Sequence, residues 1–252
     1  MTKTLFLLML GIFMVVCPAF SEDGGASIQP IPEAQLEISR TLDLLNTPDY
    51  GREGETPIDS YKRVVSDLMK SKVVSSDQML LQIALAYANE ENGNGDAMRL
   101  MQIRVLLGHA IVEMSPEEIV NALVPYYEQV ENTQLEQVLE GLLDMATIRE
   151  SRLHPDLKYC VDYLESRKSN PPQKFVKYMY TKSPEEALSS VTSVYLDKDE
   201  AKTLVDQVQT EDEAQAVDRL SKRPEWWAKL YAAEKMKQNP KLRDPELMKQ
   251  LK

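Results

Sequence analysis

From residue 33 onward, apolar residues recur at three- and four-residue intervals along nearly the whole chain, the period of helices buried on one face. The pattern predicts helices over 33–46, 57–72, 76–91, 96–114, 116–131, 133–150, 155–168, 172–182, 184–196, 198–209, 211–222, 224–238 and 244–251. Alternating Val, Ile and Thr runs, the mark of half-buried strands, are scarce, so the expected fold class is all-α. Ser115-Pro116-Glu117-Glu118 supplies a capping hydroxyl, a proline preset for the first turn and acids near the positive end of the helix dipole. Ser183-Pro184-Glu185-Glu186 repeats that signal, and Asp96 is placed to cap the helix after Asn92-Gly93-Asn94-Gly95. This last run reads as a tight turn with residues at positive φ.

Two of these helices are apolar on almost every face. One carries Met79, Leu80, Leu81, Ile83, Ala84, Leu85 and Ala88; the other carries Met98, Met101, Ile103, Val105, Leu106, Leu107, Ala110, Ile111 and Val112. Both are expected to be covered on several sides. The helix over 57–72 keeps Tyr61, Val64, Val65, Leu68 and Met69 on one stripe, and those over 198–209 and 211–222 are more polar. Connections are short except for 47–56, so consecutive helices should pair as antiparallel hairpins. Helix starts near Pro57, Asp96, Thr133 and Pro172 lie 39, 37 and 39 residues apart, the length of one helix pair in a helical-repeat array.

The amino terminus changes the reading of what remains. Lys3 precedes an apolar run from Leu5 to Val16, which is short against the roughly 20 residues that span a bilayer. Ala19 and Ser21 are small residues at the spacing of a signal-peptidase site. The expectation is a signal peptide over 1–21, cleaved after about Ser21, a flexible leader over 22–32 and export to the periplasm or extracellular space. A single helical-repeat domain over 33–252 would follow, with a subdivision point near 169–172. Cleavage removes Cys17 and leaves Cys160 as the one thiol, so no internal disulfide can form and the fold must stand on burial.

Charge is unevenly spread within a net of −11. Glu22–Asp218 holds 18 basic and 36 acidic residues, whereas Arg219–Lys252 holds 10 basic and 4 acidic. An acidic body disfavours nucleic acid as a partner. The basic end is suited to anionic lipid, an acidic partner or the body of the same protein, with a solvated helical terminus as the favoured reading.

The residues for catalysis are sparse. His109 stands four residues before Glu113, but two ligands are too few for a metal and no HExxH motif is present, so a structural histidine is favoured. His154 precedes Pro155 and reads as a loop residue. Cys160 reads as a buried, inert thiol. No GxSxG elbow, phosphate loop or cofactor fingerprint occurs, and no catalytic, cofactor or metal residue is assigned. Aromatic residues gather with lysines in two places, Tyr159–Tyr180 and Trp226–Tyr231. Such groups are either hairpin core with lysines reaching outward or a contact surface. From them Tyr163, Lys177, Trp227 and Lys229 are the candidate partner-binding residues. Trp226 and Trp227 cannot share one helix face, so one is expected inside and the other facing a neighbouring hairpin or a partner.

Residues 117–147, EEIVNALVPYYEQVENTQLEQVLEGLLDMAT, resemble a HEAT unit: a helix with an internal proline, Pro125, a short polar turn, and a helix bearing Leu135, Val138, Leu139, Leu142, Leu143 and Ala146. Residues 225–252 are similar to closing units of bacterial HEAT-like proteins, with Lys229 where arginine is usual. The resemblance implies an irregular α-hairpin array, an α-solenoid, that binds a protein or peptide partner in the cell envelope through one face. The alternative is an envelope glycan-active enzyme using a carboxylate pair in an all-helical cleft, with carboxyl groups about 5–10 Å apart.

Overall fold

The computed structural model describes residues 28–47, 50–93, 96–131, 133–150 and 158–242, with side chains as far as residue 146 in the fourth stretch. These form twelve α-helices: α1 (Pro32–Leu45), α2 (Pro57–Met69), α3 (Ser76–Asn92), α4 (Ala97–Val112), α5 (Pro116–Tyr127), α6 (Gln134–Glu150), α7 (Lys158–Ser166), α8 (Gln173–Lys182), α9 (Pro184–Tyr195), α10 (Lys198–Thr210), α11 (Glu213–Ser221) and α12 (Trp226–Gln238). A short 3₁₀ turn, Pro240–Leu242, follows, and the described residues contain no strand. The all-α expectation therefore stands. The helix expected over 244–251, the signal peptide over 1–21 and His154 lie outside the described residues.

Side-chain caps account for most of the helix starts. Thr56, Ser75, Asp96, Asp197 and Asp212 each accept a backbone N–H of the first turn. Ser115 and Glu118 close a reciprocal capping box on α5. Ser183 does not cap α9, contrary to the sequence signal. It is the single residue between α8 and α9, and its own N–H is spent on the Met179 carbonyl. Gly93 has φ of −84°, so positive φ is not what ends α3. The described glycine that needs the left-handed region is Gly54, at φ +85° in the loop before α2. That loop is clamped by Glu55, whose carboxylate takes Arg63 Nε at 2.9 Å, the Arg52 N–H at 3.0 Å and Ser60 Oγ at 2.8 Å. These bonds, Arg63 first, hold its pKa down at about 2.

Packing is organised around two helices. α3 touches α1, α2, α4, α5 and α6, while α9 touches α7, α8, α10 and α12. On α3, Met79, Leu80, Leu81, Ile83, Ala84, Leu85 and Ala88 are buried. Each large side chain so enclosed contributes roughly 1.5–3 kcal/mol, an upper figure for an extended unfolded chain. One continuous core runs from Ala34 on α1 to Tyr231 on α12 and passes through Tyr163 and Phe175 on either side of residues 169–172. The principal pairings join helices no more than four places apart in the chain, α8 with α12 being the widest.

The one polar residue inside α3 positions the beginning of the array. Gln82 is 2% exposed. Its Oε1 accepts the Ile31 N–H at 2.9 Å and Gln35 Nε2 at 2.9 Å, and its Nε2 donates to the Gln29 carbonyl at 3.2 Å. The side chain thus satisfies the N-terminus of α1, which has no side-chain cap of its own. Replacing Gln82→Leu removes the partner of the Ile31 N–H and of the Gln29 carbonyl, while Gln35 Nε2 keeps the Gln82 backbone carbonyl at 3.0 Å. The expected result is a loss of about 1–3 kcal/mol in urea unfolding. Hydrogen exchange at the Ile31 amide should accelerate more than at Ile83.

Candidate interaction surface

The densest polar cluster lies where α5 and α6 meet α8. Pro172 offers no side-chain cap to α8, and Glu128, just past the end of α5, supplies one from across the joint. Its carboxylate accepts the Phe175 N–H at 2.7 Å and the Lys174 N–H at 3.4 Å. Burial pushes the Glu128 pKa up, and these two N–H bonds and the Lys174 charge oppose that rise. Along α6, Glu136, Glu140 and Asp144 repeat every four residues and so share one face. Lys174 Nζ lies 2.7 Å from Glu136 and 4.3 Å from the centre of the Tyr127 ring. The Tyr127 hydroxyl donates to Glu140 at 2.6 Å, and Tyr178 donates to Asp144 at 2.5 Å. Lys182 completes the row, 2.8 Å from Asp144. Burial, then the bond to Glu140, raises the Tyr127 phenol far above its ordinary range.

This cluster is a joint, with every named carboxylate held by a donor. A second carboxylate pair, Asp77 and Glu118, has pKa values pushed apart. Desolvation and then the charge of Glu118 raise Asp77, while the Ser115 N–H and hydroxyl lower Glu118. Both residues are exposed at helix N-termini, and Glu118 is engaged in the capping box of α5. Two hollows are present: one of about 200 Å³ between residues 28–31 and the flanks of α3 and α5, another of about 310 Å³ beside α10. The first is lined by neutral side chains such as Ile28, Gln78 and Tyr126. In the second, Arg223 is already paired with Glu200 at 3.2 Å and Glu225 at 2.7 Å.

The four residues expected to meet a partner do not form one surface. Tyr163 is 5% exposed and packs edge-on against Phe175; Trp227 is 1% exposed under Arg223. Burial removes both from any outer face. Lys177 and Lys229 are exposed, on α8 and α12. The adjacent tryptophans divide as expected for neighbours about 100° apart: Trp227 enters the core, while half-buried Trp226 meets Tyr195 with ring centres 5.8 Å apart. Cys160 is buried. His109 lies with its ring 4.8 Å from that of Tyr61, while Glu113 bonds Ser66 at 3.0 Å. Among the described residues no group of three or more His, Cys, Asp or Glu is placed to hold a metal ion.

As far as residue 242, the basic end is largely paired with the chain itself. Arg219 joins Glu211, Lys222 joins Asp218, and Lys235 bridges Glu185 at 3.0 Å and Glu213 at 2.5 Å. Among the described residues no helix is long and apolar enough to cross a membrane.

An exposed apolar face emerges on α4. Its inner face buries Ile103, Leu106, Leu107, Ala110 and Ile111. The opposite face exposes Met98 to 61%, Met101 to 62%, Val105 to 38% and Val112 to 59%. With Gly108, these fall at intervals of three, four, three and four residues, the spacing of a coiled-coil seam. A Cβ placed on Gly108 would meet nothing within 4 Å, so the seam contains a hollow as well as knobs. Arg104 is exposed along one edge and forms no ion pair among the described residues. The other edge carries Gln102 and His109, which touch Asn46 and Tyr61. Sequence reasoning saw an all-round apolar helix and expected enclosure; the three-four spacing on the face away from Leu106 and Ile111 was the available signal.

The chain matches no family model, no curated protein and no solved structure with which it was compared.

The joint makes a separable prediction. Glu128→Ala should cost about 1–2 kcal/mol by leaving two N–H groups at the start of α8 uncapped. Glu128→Gln keeps an acceptor and should cost less than half as much in the same chemical denaturation. Equal losses for both variants would show that the carboxylate does not act as the cap.

Proposed function

We propose that this protein is an exported, non-catalytic helical scaffold, a HEAT-like α-hairpin array that holds a protein partner in the cell envelope. The observation that carries the reading is the apolar seam of Met98, Met101, Val105 and Val112 on α4, open to solvent on an otherwise well-covered helix. Contiguous exposed apolar side chains on a helix face are the usual mark of an interaction site. The array reading draws support from helix pairings that stay within four places along the chain, and from the 37–39-residue spacing of helix starts. Export rests on Lys3, the apolar run Leu5–Val16 and the small residues Ala19 and Ser21. The glycan-cleaving alternative needs a free carboxylate pair in a cleft. The row Glu136, Glu140 and Asp144 is instead bonded to Lys174, Tyr127, Tyr178 and Lys182.

Site-specific photocrosslinking in the native envelope tests the reading. A benzophenone side chain at Met101 should give a discrete protein adduct, absent when the probe stands at exposed Lys202 and lost when Val105→Glu is added. No adduct from Met101, or the same adduct from Lys202, contradicts it.

A further inference from the structure

We infer that the α4 seam receives an amphipathic helix from a different protein, apolar at three-four spacing and carrying a carboxylate beside its apolar stripe. This inference rests on the scaffold reading and specifies its partner. The geometry of the seam calls for a helix. Met98, Met101, Val105, Gly108 and Val112 alternate three and four residues apart over two heptads, and such knobs fit between side chains of a helix with the same repeat. Two of the four knobs are methionines, whose flexible side chains adapt to the shape of what they meet. The open space above Gly108 admits a large side chain from the incoming helix.

Charge selects the partner among helices. Between Ala97 and Val112 the helix carries Arg99, Arg104 and His109 and no acid. Arg99 is held at 3.4 Å by Glu90, which leaves Arg104 as the cation beside the seam without an ion pair among the described residues. A second copy of this chain is a poor occupant. Docked antiparallel about the middle of the seam, two such helices bring Arg104 of each copy onto the same edge. Docked parallel, Arg104 faces His109 of the other copy. Neither arrangement sets an α4 carboxylate against Arg104, and the antiparallel one places two guanidinium charges side by side, which opposes association. A helix with Glu or Asp beside its stripe pairs Arg104 as the seam closes over apolar surface.

Two soluble helical peptides with leucine at the three-four positions test this, one flanked by glutamates and one by lysines. Each is titrated against the mature full-length chain by fluorescence anisotropy. The glutamate peptide should bind and the lysine peptide should not. Val105→Glu should abolish binding. Arg104→Ala should weaken it by about fivefold, the upper range for a partly exposed ion pair. Arg104→Glu should reverse the preference between the peptides. Gly108→Leu should weaken binding while leaving the unfolding midpoint of the free protein unchanged or raised, since a Cβ there meets nothing within 4 Å and leucine favours helix. Equal binding of both peptides, or binding of the lysine peptide alone, overturns the inference. So does concentration-dependent dimerisation that Val105→Glu abolishes, which assigns the seam to a second copy. If neither peptide binds while the Met101 crosslink persists, the acidic-helix inference fails and the scaffold reading stands.

Discussion

A helix that is apolar on every side has to be surrounded, and α3 is the helix on which that constraint acts most strongly. Seven of its apolar side chains are buried, against five neighbouring helices. Its requirement for cover determines where α1, α2, α4, α5 and α6 sit. α9 plays the corresponding part for α7, α8, α10 and α12. A continuous apolar core joins these two groups. The polar residues inside do a narrower task. Gln82 seats the N-terminus of α1, and Glu128 seats that of α8, each replacing a cap that the local sequence lacks.

The joint at α8 and the seam at α4 show two outcomes for surface left over once the hubs are covered. At the joint, Tyr127, Tyr178, Lys174 and Lys182 meet Glu136, Glu140 and Asp144, so polar groups close over one another and set how the two groups of helices meet. On α4 no described element closes over Met98, Met101, Val105 and Val112. Leaving such side chains in water forgoes the stabilisation that burial would bring, which the partner helix proposed above would restore on binding. The function proposed for the chain follows from that difference.

Much of the helical framework was legible in the sequence because caps and periodicity are local. Twelve helices fall where the apolar spacing and residues such as Asp96 and Ser115 place them. What local pattern could not carry was relation across the chain. Ser183 has the form of a cap, yet it is the single residue joining α8 to α9, at φ −152° and ψ 94°, and its side chain accepts no α9 N–H. Glu128 caps a helix 47 residues away, which no nearby motif announces. Tyr163 and Trp227 share the composition of a contact surface, and only packing reveals that they point inward. The open face of α4 was hidden for the opposite reason, since apolar periodicity reports that a face is apolar and not whether anything covers it.

The account depends most on α3 being enclosed while α4 stands open along one side. Mild peroxide oxidation of the free protein, followed residue by residue in a mass spectrometer, measures this directly, because sulfoxide formation tracks methionine exposure. Met98 and Met101 should oxidise far faster than fully buried Met79 and Met236, with Met145 between them or close to the fast pair. Protection of Met98 and Met101 to the level of Met79 in the unpartnered protein would contradict the account.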